Sequence, residues 1–157
     1  MPVDFGFDYR KPQDNSLRSC LFEQEEMVVI ARADHPRLRA KLSRSQYFDE
    51  RHIVLAVSDA RRAVLENIFS ESNAQRRIVA EADQAVALPS LVMNTDALAT
   101  VPRSMVEIPL FAKQIRIFDL PLDIPALPVY LLWHRARERD AGHAWLKGRI
   151  MEQRKAR

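Results

Sequence analysis

Between residues 52 and 118, short apolar runs alternate with amphipathic stretches, and no other feature of the chain narrows its fold as much. His52-Ile53-Val54-Leu55-Ala56-Val57 reads as a strand. The next stretch carries Ala60, Val64, Leu65, Ile68 and Phe69 on one helical face, with Ser58 and Asp59 as N-cap candidates. Arg77-Ile78-Val79-Ala80 is a second strand, leading into a helix around Leu91-Val92-Met93 in which Pro89 forms the first turn or a kink. Ala97-Leu98-Ala99-Thr100-Val101 is a third strand. Pro102 is suited to open the next helix, Pro109 to stop it, and Ile115-Arg116-Ile117-Phe118 is a fourth strand. Repeated strand–helix units require right-handed crossovers and mostly parallel pairing, so this stretch is expected to be an α/β domain.

The flanks follow another pattern. Asp4-Phe5-Gly6-Phe7 reads as a short strand entering a polar loop. Met27-Val28-Val29-Ile30-Ala31 is continuously apolar, as suits a strand buried on both faces, and Asp34-His35-Pro36 breaks it. Ser43 is an N-cap candidate for a short helix through Gln46 and Tyr47. Towards the end, Pro121, Pro125 and Pro128 mark a connector into the strand Val129-Tyr130-Leu131-Leu132-Trp133. Asp140 caps a last helix through Trp145, Leu146 and Ile150. The pattern predicts a domain at 43–119 inserted between two pieces of another, 1–42 and 120–157. The two crossings would lie at Asp34-His35-Pro36 and at 119–125.

Composition removes several function classes. Cys20 is the only cysteine, which rules out an intramolecular disulfide and a thiolate zinc cage. With 3 glycines in 157 residues there is no GxGxxG and no GxxxxGK[ST] phosphate cradle. The net charge of +3 is too small to mark a nucleic-acid footprint by itself. No apolar run approaches the ~20 residues of a membrane span, and no charged-then-apolar leader opens the chain, so a soluble cytoplasmic protein is expected. His35, His52, His134 and His143 show no metal-ligand spacing and are expected to be hinge or surface histidines.

Three blocks carry a family resemblance. Leu21-Phe22-Glu23 through Val28-Val29-Ile30-Ala31-Arg32-Ala33-Asp34-His35-Pro36 is similar to the "LF…VVRxDHP" strand and hinge of LysR-type transcriptional regulators. Leu88-Pro89-Ser90-Leu91-Val92, with Thr95-Asp96-Ala97-Leu98-Ala99-Thr100-Val101-Pro102-Arg103, resembles their "LPxLVxxTDxxATVPR" block. Leu132-Trp133-His134, Arg139-Asp140, His143 and Trp145-Leu146 resemble the "WHxRxxxDxxHxWLR" end of the nodulation and aromatic-degradation branch. The blocks stand in family order across nearly the whole chain. The resemblance implies the periplasmic-binding-protein-like (type 2) α/β fold of two subdomains. Subdomain I would be partial (1–42, with 120–157 returning to it and adding the C-terminal helix) and subdomain II complete (43–119). The family's winged helix-turn-helix and dimerising linker helix have no match here. Asp4-Phe5-Gly6-Phe7 matches the strand after the first strand–helix–strand of the effector domain, so an N-terminal truncation is expected.

Ligands in open α/β sheets sit beyond the carboxyl ends of the strands. That rule selects Val57-Ser58-Asp59, Ala82-Asp83-Gln84, Val101-Pro102-Arg103 and, after the first strand, Asp8-Tyr9. The resemblance implies an effector cleft between the subdomains at the same place. The effector-binding candidates are therefore Asp8, Tyr9, Ser58, Asp59, Asp83, Pro102 and Arg103. Tyr9 is suited to stack on an aromatic ligand, and Arg103 or the helix end at Ser58 to meet a carboxylate. The plainer readings are an ordinary N-cap at Ser58, a solvated first-turn arginine at Arg103, and core packing for Trp133 and Trp145. Arg135, Arg137 and Arg139, interleaved with Glu138 and Asp140, read as a solvated rim.

The expected function is a ligand-sensing regulatory domain of a LysR-type transcription factor, with no catalysis, cofactor or metal. A small, aromatic or carboxylated effector would change the angle between subdomains. A half-formed cleft would bind that effector weakly. Exposed edges at 4–7, 27–31 and 129–133 would drive a homodimer or higher oligomer. Promoter DNA would be reached only through an N-terminal module absent from this chain, and no membrane partner is expected. Two alternatives remain: a solute-binding protein of the same two-lobed architecture, and a small hydrolase using Ser58. The hydrolase lacks the G-x-S-x-G elbow, since Val57 and Asp59 flank the serine.

Overall fold

The computed structural model describes residues 3–56, 76–111 and 113–154. Ser58, Asp59 and the helix expected after them lie outside the described residues. The chain divides into two compact units, Met1–Glu25 with Leu127–Arg157, and Glu26–Ala126.

In the first unit, β8 (Leu127–His134) is the middle strand, with β1 (Gly6–Asp8) and β2 (Leu17–Glu25) antiparallel on either side. Phe7 and Cys20 both pair with Leu131, from opposite sides, and the β2 register shifts between Leu21 and Glu23. The C-terminal helix, Ala141–Gln153, begins where Asp140 Oδ1 accepts the His143 N–H at 3.0 Å. His143 Nε2 lies 3.2 Å from the Asp4 carbonyl oxygen, and its ring stacks on Phe5 at 4.0 Å. The Lys147 ammonium stands 4.4 Å over the Trp133 ring. Trp133 is buried, as core packing predicts, but Trp145 is 67% exposed. The helix has room for one packed face, and that face carries His143 rather than Trp145.

In the second unit, β3 (Met27–Arg32) lies between β6 (Ala99–Pro102) and β7 (Ile115–Asp119), antiparallel to both. Beside them, β4 (Arg51–Leu55) pairs in parallel with β5 (Arg77–Ala82). A parallel bridge between His52 and Leu98 links the two groups, with Ile53 N–H to Leu98 O and Leu98 N–H to Arg51 O both 2.8 Å. Among the described residues the unit's short α-helices are α1 (Arg44–Asp49), α2 (Leu88–Met93) and α3 (Arg103–Val106). The C-terminal helix is α4.

The continuous apolar run at 27–31 has a direct cause. Strand side chains alternate in direction, and both faces of β3 are covered. Val28 and Ile30 pack with Ile53, Leu88, Val92 and Val101, while Val29 and Ala31 pack with Leu38, Tyr47, Leu98 and Phe118. Val28 through Ala31 are wholly inaccessible to water, each larger side chain contributing about 1.5–3 kcal/mol by burial.

Several expectations need correcting. β3 belongs to the second unit, not to the stretch 1–42 with the first strands, because both its hydrogen-bonded neighbours are there. The crossings therefore fall at Glu25/Glu26 and Ala126/Leu127, and Asp34-His35-Pro36 is internal to the second unit. An apolar run reports burial but not which strands flank it. Strands β3 and β8 are central, so the edges expected at 27–31 and 129–133 are paired on both sides. Among the described residues, pairing in the second unit is parallel only around β4, β5 and the bridge at Leu98. Pro102 closes β6 instead of opening the helix, and α3 ends before Pro109 is reached.

Candidate functional site

The registers bring several chain segments to one end of the second unit's sheet. Met27 is paired with Pro102 and Val28 with Asp119, so the start of β3 meets the ends of β6 and β7. The parallel relation of β4 and β5, and of β4 to the chain at Leu98, turns the carboxyl ends of these strands the same way. Asp83, Pro102 and Arg103 accordingly lie at this carboxyl end, where strand ends leave polar backbone groups for a ligand.

Asp83 follows β5 and is exposed, ahead of a 3-10 turn at Ala85–Ala87. Pro102 is half-buried and sits at the N-cap position of α3. Arg103 is heavily engaged. Its Nε donates to Glu26 Oε2 at 2.7 Å, Nη1 to Glu107 Oε1 at 3.2 Å and Nη2 to Asp119 Oδ1 at 3.2 Å. Its backbone N–H also donates to the Glu26 carbonyl at 2.8 Å. Glu26 leads the partners that hold this guanidinium above its ordinary pKa. The solvated arginine expected from sequence is thus an ion-pair hub. Of its partners, Glu107 was legible four residues on, whereas Glu26 and Asp119 are brought in only by strand register.

Asp8 and Tyr9 belong to the first unit. The Asp8 carboxylate accepts the Arg10 N–H at 3.0 Å, an Asx-type turn closing β1, and the half-buried Tyr9 follows it.

The other end of the second unit's sheet holds a polar network without local sequence warning. Arg32 Nε reaches Asp96 Oδ1 at 2.7 Å and Nη1 reaches Asp34 at 2.8 Å. Asp96 is kept below the usual carboxylate pKa chiefly by its hydrogen bond from Arg32. His35 Nδ1 accepts the N–H groups of Arg37 (3.4 Å) and Leu38 (3.2 Å). This puts its proton on Nε2, which donates to the Asp96 carbonyl at 3.0 Å. His35, His52 and His143 are all buried, so the expectation of hinge or surface histidines holds only for His134. His52 Nε2 donates to the Tyr47 carbonyl at 2.6 Å. Its Nδ1 is buried without a hydrogen-bond partner among the described residues. Burial pushes the His52 pKa down. Also among the described residues, no three His, Cys, Asp or Glu side chains gather as a metal ion would require. No described helix is long and apolar enough to cross a membrane.

The family model for the LysR substrate binding domain matches residues 2–155. The chain belongs to that family. The LysR substrate-binding domain described here is 26% identical over 144 residues to the HTH-type transcriptional regulator LeuO of Escherichia coli, covering 92% of this chain and 45% of LeuO. It is 29% identical over 135 residues to nodulation protein D of Azorhizobium caulinodans, covering 84% of this chain and 42% of that protein. Among solved structures, the probable transcriptional regulator PA0477 from Pseudomonas aeruginosa superposes with a TM-score of 0.78 at 28% identity. That superposition covers 94% of this chain and 49% of PA0477. The LysR domain thus spans less than half the length of the curated relatives it matches. The periplasmic-binding-protein-like (type 2) α/β fold of the family, in partial form, is the fold of this chain.

Proposed function

We propose that this LysR domain senses a small-molecule effector at the carboxyl end of the second unit's sheet and does not turn it over. The single observation behind this reading is the family match over nearly the whole chain, whose strand ends carry Asp83, Pro102 and Arg103. Ser58 and Asp59, which follow β4 in the sequence, complete the set proposed in this unit. The sensed state would act on transcription through a DNA-binding module elsewhere in the protein, which would work in the cytoplasm as a homodimer or larger assembly. In this reading the two compact units correspond to effector subdomains I and II.

Within this reading, the pairing of Arg103 favours one of the expected effector classes. A ligand carboxylate there would be a fourth anion around one cation, competing with Glu26, Glu107 and Asp119. An aromatic effector bearing hydroxyl or amino donors fits an end rich in carboxylate acceptors better than a carboxylated one. The test is a thermal-shift panel of phenols, anilines and benzoates on the chain, followed by calorimetry of the hits. Phenols or anilines should bind, and Asp83→Asn or Ser58→Ala should weaken them about tenfold, the loss of one good polar contact. Tight binding untouched by either substitution would place the site elsewhere. Ser58-dependent hydrolysis of a phenyl ester would restore the hydrolase alternative, and light scattering that reports only monomer would remove the assembly.

A further inference from the structure

We infer that Arg103 is a clamp that fastens both points where the chain departs from the second unit's sheet. Glu26 is the first residue of that unit, directly after the crossing at Glu25/Glu26. Asp119 is the last residue of β7, where the connector 120–126 towards the other crossing begins. One guanidinium reaches both, at 2.7 Å and 3.2 Å, and the Arg103 backbone N–H holds the Glu26 carbonyl at 2.8 Å. Glu107, one helical turn on, accepts a further hydrogen bond and fixes the side chain's direction from α3.

Three strands end here side by side: β3 begins at Met27, β6 ends at Pro102 and β7 ends at Asp119. Strand ends fray because their last ladder bonds have support from one side only. Pro102 and Met27 face each other between two ladder bonds, and the outer of these is the bond from the Arg103 N–H to the Glu26 carbonyl. The Arg103 side chain adds a second link to Glu26 beside that last bond. The Arg103 side chain is 29% exposed, and those of its partners range from 53% for Glu107 to 95% for Asp119. Exposed pairs of this kind are individually weak and are screened by salt. The clamp therefore governs local opening at the two departures and leaves the core intact. It stands on the geometry alone and does not depend on the proposed effector.

Amide hydrogen exchange on the full chain tests it. Arg103→Met keeps the aliphatic stem and removes the charge. It should speed exchange at the amides of residues 103 and 118, which bond to Glu26 and Val29, about three- to tenfold, while Ile30 and Ala31 keep their protection. Two near-isosteric variants separate the arms. Glu26→Gln should loosen position 103 most, and Asp119→Asn should loosen position 118 and leave 103 protected. In the wild type, 1 M NaCl should reproduce part of the Arg103→Met effect. Unchanged exchange at 103 and 118 in all three variants would overturn the clamp. So would a loss spread evenly over β3, β6 and β7, which would make Arg103 a general support of the sheet.

Discussion

Arg37 grips Glu50 through two parallel hydrogen bonds, Nε to Oε1 and Nη2 to Oε2, each 2.7 Å long. The partners are unequal: the Glu50 side chain is 8% exposed and that of Arg37 54%. The hydrogen bonds from Arg37 hold the Glu50 carboxyl below its ordinary pKa, and they prevail over burial, which pushes the other way.

This fixes the sign of a pH effect. A carboxyl whose pKa is lower in the fold adds stability above its unfolded value, and the contribution is lost as pH falls through the folded value. Unfolding free energy should therefore decline on acidification below 4.5, the ordinary Glu value. Glu50→Gln should cost about 1–2 kcal/mol at pH 7, the lower part of the range for charged hydrogen bonds because Arg37 is half in water. It should also flatten the acid slope. Urea denaturation of both proteins at pH 7 and pH 4 checks this, and parallel slopes would contradict it.

His52 gives a second window at higher pH. Burial lowers its pKa, so the unfolded chain takes up a proton as pH falls past 6.5 while the folded chain resists. Stability should decline from that point until the lower folded value is reached. His52→Leu should remove this decline but cost about 1–3 kcal/mol at neutral pH by leaving the Tyr47 carbonyl without its donor. An NMR titration in which the His52 ring protonates near 6.5 would refute the account.

Local chemistry was readable in the sequence, and long-range pairing was not. Ser43 and Gln46, three residues apart, form the capping box their spacing allows, and Asp140 caps α4 as expected. The apolar run at 27–31 announced a strand buried on both faces. Its neighbours, β6 and β7, lie about seventy and ninety residues on in the sequence, a choice no local pattern encodes. The same holds for the site. Strand ends located Asp83 and Pro102, but the state of Arg103 depends on Glu26 and Asp119, which only register delivers. Trp145 misled because a large aromatic on a short terminal helix carries no label for the face it takes.

The capping box offers a simple stability test. Ser43 Oγ accepts the Gln46 N–H at 3.2 Å and Gln46 Oε1 accepts the Ser43 N–H at 3.0 Å. Ser43→Ala should destabilise the chain by about 1 kcal/mol, and Ser43→Gly by a few tenths. Thermal unfolding followed by far-ultraviolet circular dichroism resolves that order. Equal midpoints for Ser43→Ala and the wild type would show that α1 is held by the buried Tyr47 alone.

The central claim is that a small donor-bearing aromatic effector is sensed at the carboxyl end of the second unit's sheet. Amide NMR of the isotope-labelled chain, titrated with the phenol or aniline that gives the largest thermal shift, tests it most directly. The account predicts saturable shifts gathered at Ser58, Asp59, Asp83, Gln84 and Arg103, with the amides around Arg32, His35 and Asp96 unmoved. Saturable shifts confined to that opposite end, or to the groove of Val106, Ile108, Ile115 and Ile117, would contradict it.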